Sequence, residues 1–128
     1  MAKSRTTRLR KLARLQVDAH VVMLRSLHRQ RDELVRQIAD LRRGLTQKMD
    51  VGVIDRRSVH LSSELRAVGE AEIERIQGKI ARIDKRILTK KQELKEARVQ
   101  EQSFSRLEKR EGIDQRKLDQ LQIRREDS

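Results

Sequence analysis

The chain has 128 residues, of which 41% are charged and 35% hydrophobic, with one aromatic residue (Phe104), no Pro, no Cys and a net charge of +12. So little bulky apolar matter excludes a compact globular core and points to long helices or a coiled coil. The absence of Cys is compatible with a reducing cytosol, and no apolar run approaches the ~18 residues of a membrane span, so a soluble protein is expected. High charge with few aromatics is also the signature of disorder, but a disordered chain shows no apolar period. Here a period is present. The opening MAKSRTTRLRKLARL is Arg-rich and acid-free, as organelle transit peptides are, yet Leu9 and Leu12 join the apolar stripe that continues behind them.

That stripe runs Leu9, Leu12, Gln16, Ala19, Met23, Leu27, Gln30 or Arg31, Leu34, Ile38, Leu41 and Leu45. Its average step of about 3.6 predicts a straight first helix over roughly 4–48 with one narrow buried face. Between about 49 and 57 the chain reverses: Gly52 can take positive φ, and Asp50, Asp55 and Ser58 can cap helix ends.

The second helix is predicted over roughly 58–124. Leu61, Leu65 and Val68 lead into Ile73, Ile76, Ile80, Ile83, Ile87, Lys90, Leu94, Ala97, Glu101 and Phe104. This strict three-four alternation is a heptad seam that supercoils left-handed. Charges beside it, such as Glu93 with Lys90 and Glu108 near Arg110, read as a solvated face. Gly69 and Gly78 each cost about 1 kcal/mol against Ala in a helix interior. The fold class that follows is all-α, a long antiparallel two-helix coiled-coil hairpin forming a single unit over 1–128.

With the turn centred near 53, residue i faces about 106 minus i, so everything after about 105 overhangs by roughly 30 Å. A bare amphipathic helix of that length is marginal in water. Leu107, Ile113, Leu118 and Leu121 nevertheless keep an apolar spacing, which points to cover by another subunit, with a frayed tail as the alternative. Positive charge is concentrated at the same end: Lys3, Arg5, Arg8, Arg10, Lys11 and Arg14 precede any acid, whereas the turn region is slightly negative. Such a cluster steers the hairpin end into an acidic pore or neutralises phosphates.

At these residues the chain resembles a known family. Asp114-Gln115-Arg116-Lys117-Leu118-Asp119-Gln120-Leu121 is similar to the C-terminal pattern of the flagellar export protein FliJ and its injectisome relatives of the YscO type. Gly52-Val53-Ile54 resembles the turn of that family, and Arg29-Gln30-Arg31-Asp32-Glu33-Leu34-Val35 resembles a first-helix segment of rotary-ATPase central stalks. The likeness covers nearly the whole chain in layout and about ten residues in motif. It implies a non-enzymatic, cytoplasmic stalk of a type III export apparatus, peripheral to its membrane part. It also implies three partners: a hexameric export ATPase, an export gate protein and export chaperones.

On that resemblance Gln115, Leu118, Asp119 and Leu121 lie at the ATPase end with Arg5, Arg8, Lys11, Arg14, Leu107 and Ile113, and the gate-facing surface lies toward the turn. Family members place aromatics near the turn. This chain departs from them, offering only the aliphatics Leu45, Met49, Val59, Leu61 and Leu65.

Two other classes remain open. A basic hairpin could bind RNA or DNA through the backbone, although aromatic platforms and zinc-finger, RRM or KH signatures are missing. The seam and overhang could instead build a homodimer or four-helix bundle. Catalysis has little support, since His20, His28 and His60 are not spaced as a metal pair and there is no Gly-rich phosphate loop. His20 and His28 read as flank residues, and no cofactor or metal is expected.

Overall fold

A computed structural model describes residues 4–50 and 56–126, with side chains for 4–47 and 61–126. All of it is two helices, α1 over Arg5–Asp50 and α2 over Arg56–Glu126, packed against each other as an all-α helical hairpin. The turn residues Gly52, Val53, Ile54 and Asp55, and the side chains of Asp50 and Ser58, lie outside the described residues. Helix α1 starts on a capping contact that was not read from sequence: the backbone N–H of Thr7 donates to Ser4 Oγ at 3.2 Å.

The contacts divide the chain into two compact units, one of residues 1–22 with 90–128 and one of residues 23–89. In the second unit Ile38 packs with Ile73 and Ile76, joined by Leu34, Leu41, Leu45 and Ile80. In the first unit Ala13 and Val17 are buried on α1, and Leu94 and Ala97 on α2. Two helices give each side chain only one neighbouring element, so no large side chain among the described residues is fully buried.

The heptad seam predicted on α2 is present, since every position from Ile73 to Phe104 in that alternation is buried or half-buried. The stripe predicted on α1 is borne out from Leu27 onward and corrected between Leu12 and Met23, while Leu9 is half-buried as expected. Leu12, Gln16, Ala19 and Met23 are exposed, while Thr6, Arg10, Ala13, Val17, His20 and Leu24 face the partner helix. The true α1 seam therefore alternates four and three from Thr6 to Leu45, a 3.5 period rather than 3.6. Apolar bulk misplaced it: Leu12 and Met23 outrank Ala13 and His20 as hydrophobes, but register is decided by which positions stay in phase with the partner.

The pairing of the helices is also shifted. A turn centred near 53 would set Arg14 opposite Gln92 and Arg31 opposite Arg75. In the first unit Arg14 reaches Glu101 instead, and in the second Arg31 donates to Asp84 at 2.7 Å, each nine residues further along α2. The ion pairs of the seam follow this shifted register in both units. Of Leu65, Val68 and Glu72 to Ile73, expected near Leu34, Ile38 and Leu41, Ile73 does pack there, whereas Leu65 and Val68 are exposed, as is Leu61. In their place Gly69 meets Leu45, whose Cδ1 lies 2.6 Å from where a Cβ at residue 69 would sit. Glycine here admits a close approach.

Candidate functional site

The residues assigned to the ATPase end all fall in the first unit, where hydrogen bonds and ion pairs tie the start of α1 to α2. Thr6 Oγ1 donates to Glu111 Oε1 at 2.6 Å, and Arg10 pairs with Glu108. Glu108 thus serves α1, and the expected partner Arg110 does not hold it. Arg14 lies 3.5 Å from both Asp18 and Glu101. Arg5, Arg8 and Lys11 are solvent-exposed on the same turns.

Cover by α1 extends to Glu111, so the overhang spans residues 112–126, about 22 Å at 1.5 Å per residue, rather than starting near 105. Every described residue in it is exposed. Leu118 keeps 60% of its surface accessible and Leu121 55%. These two share one face with the half-exposed Leu107, eleven and fourteen residues away, close to whole numbers of turns. Ile113 is turned away by roughly 140°, so one sleeve contact cannot use it together with Leu118. Gln115 Nε2 donates to Asp119 Oδ1 at 3.1 Å, a within-helix bond that orders both side chains in solvent.

The residues assigned to the gate are less uniform. Leu45 is half-buried against the Ile38 cluster. Leu61 and Leu65 are exposed, and Leu65 lines a groove of about 520 Å³ with Leu41, Leu45, Val68 and Gly69. The side chains of Met49 and Val59 lie outside the described residues.

Two features escaped sequence reading. His20 is not a flank residue: its side chain is 22% exposed in the seam, with Nδ1 buried, lacking a hydrogen bond, and 3.6 Å from Glu93 Oε2. Lys90 Nζ donates to the same Glu93 oxygen at 2.8 Å, and this bond holds the Glu93 carboxyl below its ordinary range. The two charges thus belong to the seam's edge. His28 is exposed, and the His60 side chain lies outside the described residues.

The second feature is a groove of about 780 Å³ in the other unit, lined by Leu34 and Ile83, by Gln30 and Glu33, and by the cations Lys79, Arg82, Lys85 and Arg86. Arg82, Lys85 and Arg86 form no ion pair among the described residues. The three-four spacing of Lys79, Arg82 and Arg86 was the sequence signal, hidden among so many other basic residues.

Among the described residues no group of three or more His, Cys, Asp or Glu side chains could hold a metal ion, and no helix is long and apolar enough to cross a membrane. No protein-family model, no curated protein and no solved structure matches the chain.

Proposed function

We propose that this protein is a non-enzymatic stalk of a type III, flagellar-type protein export apparatus. Its open end engages a hexameric export ATPase, and the hairpin links that ATPase to the export gate and to chaperones at the cytoplasmic side of the membrane. One observation carries the reading. The exposed cations Arg5 and Arg8 and the uncovered Leu118 and Leu121 belong to one compact unit, so cationic steering and an apolar anchor are available to one partner. The C-terminal likeness to the FliJ and YscO family names that partner.

The test is binding of the chain to the export ATPase of the cell that makes it. Arg5→Glu with Arg8→Glu should weaken it by roughly tenfold with helicity unchanged. Arg14 is left in place because it also bridges Asp18 and Glu101. Unchanged affinity would remove the charged end from the contact, and no binding at all would remove the export role.

A second reading is backbone binding of RNA or DNA, supported by the cations Arg82, Lys85 and Arg86, which form no ion pair among the described residues although Glu33 lines the same groove. Its signature is sub-micromolar affinity for RNA or duplex at physiological salt, falling steeply as salt rises. That result, together with no ATPase binding, hands the function to this reading.

A further inference from the structure

One apolar face of α1 is used by neither the hairpin seam nor the overhang. Leu12, Leu15 and Val22 keep 56%, 64% and 60% of their surface accessible, and Ala19 between them is also exposed. Their steps are three, four and three, and the same phase carried toward the N-terminus reaches Arg8 and Arg5. The stripe is turned by roughly 140° from the buried line of Ala13, Val17 and His20. The start of α1 therefore has two seams, one filled by α2 and one empty. An isolated exposed Leu needs no explanation, but a heptad-spaced row is the pattern into which another helix packs its own side chains.

We infer that this outer face of α1, comprising Arg5, Arg8, Leu12, Leu15, Ala19 and Val22, docks an amphipathic helix of another protein. That helix has apolar residues at three-four spacing and carries Asp or Glu beside them. The charge on the page selects this occupant. No acid occurs in residues 1–16, and the Arg5 and Arg8 side chains form no ion pair among the described residues.

A second copy of the chain fits poorly, because each copy carries +12. Parallel pairing along the stripe would set Arg5 and Arg8 against themselves, and antiparallel pairing about Leu15 and Ala19 would bring Arg5 to Arg29. A membrane surface fits poorly as well. Interfacial helices present broad faces rich in Trp, Phe and Leu, whereas this stripe is one residue wide and has no aromatic. The docking face shares Arg5 and Arg8 with the proposed ATPase contact, but Leu12, Leu15 and Val22 lie outside that contact, so substitutions at these three test the face separately from the export reading.

The probe is a fluorescein-labelled three-heptad peptide of ~21 residues with Leu at the core positions and Glu at the flanking ones, compared with the same peptide carrying Lys in place of Glu. Fluorescence anisotropy with the full chain should show the Glu peptide binding at least about tenfold more tightly than the Lys peptide. Leu12→Ser, Leu15→Ser and Val22→Ser combined should remove at least about tenfold of that affinity while the melting temperature stays within a few degrees. Failure of the Glu peptide to bind, or equal binding to the triple variant, overturns the inference. A large fall in melting temperature would also overturn it, by showing that the face is already packed. A sedimenting dimer lost in the triple variant would give the face to a second copy. Binding of phosphatidylglycerol vesicles lost in that variant, with no peptide binding, would give it to a membrane.

Discussion

His20 places a polar ring in the first unit's seam. A heptad position between helices favours an aliphatic residue, yet here an imidazole sets a buried Nδ1 beside Glu93 at 3.6 Å, beyond hydrogen-bond range. Burying a polar atom without a partner costs about 1–3 kcal/mol. His20→Leu should therefore raise the melting temperature by several degrees in a thermal scan. A comparable fall would show that the contact with Glu93 stabilises the seam.

Glu93 makes a separate prediction. The Lys90 bond lowers its folded-state pKa, so the native state favours the carboxylate more than the unfolded chain does. That contribution is complete above the ordinary carboxylate pKa and disappears as pH falls through the lowered folded value. Glu93→Gln should accordingly cost stability at neutral pH and converge with the parent in strong acid. Parallel melting curves at all pH values would remove the Lys90 bond from the stability balance. Glu72, lowered chiefly by its bond to Arg75, shifts in the same direction and serves as a comparison of equal exposure.

At the level of the helix, glycine is read differently once contacts are known. Gly78 has open space around a would-be Cβ, so Gly78→Ala removes the backbone entropy penalty and should stabilise α2 by about 1 kcal/mol. At Gly69 the same methyl would enter the Leu45 side chain, which is itself held against the Ile38 cluster. Gly69→Ala should recover much less of that gain or reverse it. Equal stabilisation at both sites in denaturant titrations would show that Leu45 yields freely. The sequence gives both glycines the same penalty, because the difference lies in register across the pair. Legibility in general follows this division. The α2 seam was readable since five isoleucines at three-four spacing leave no competing phase. The first half of α1 was not, since Ala13, His20 and Arg10 are weak or polar seam residues beside a better-looking but exposed row of Leu12, Ala19 and Met23. The hairpin was legible, whereas its register, which is non-local, was not.

Across the whole molecule, the nine-residue shift shortens the overhang and makes it a sharper object. The uncovered segment begins after Glu111, so Leu118 and Leu121 lie wholly within it, and Leu107 stands at its base opposite a chain that still has α1 beside it. Burying Leu118 and Leu121 against a partner is worth roughly 3–6 kcal/mol before the cost of ordering the helix. That is enough to dominate a transient complex, while both side chains are more than half exposed in the free chain. Leu118→Ala with Leu121→Ala should therefore leave hairpin melting within a degree or two, because the substitutions remove surface already in water, and Ala is at least as good a helix former. On the proposed export role, the same pair should abolish stimulation of the export ATPase and reduce export. Hydrogen exchange localises the effect: amides 112–121 should exchange readily in the free chain and become protected when the ATPase is added, and the double variant should lose that protection. Ile113 supplies an internal control, being equally exposed but on another face, so Ile113→Ala should spare stimulation if a single face is gripped. Should the double variant unfold the hairpin, those leucines already have a partner in the free protein. If it alters neither melting nor stimulation, the C-terminal helix is a passenger, and the grip on the ATPase must come from the basic start of α1 alone.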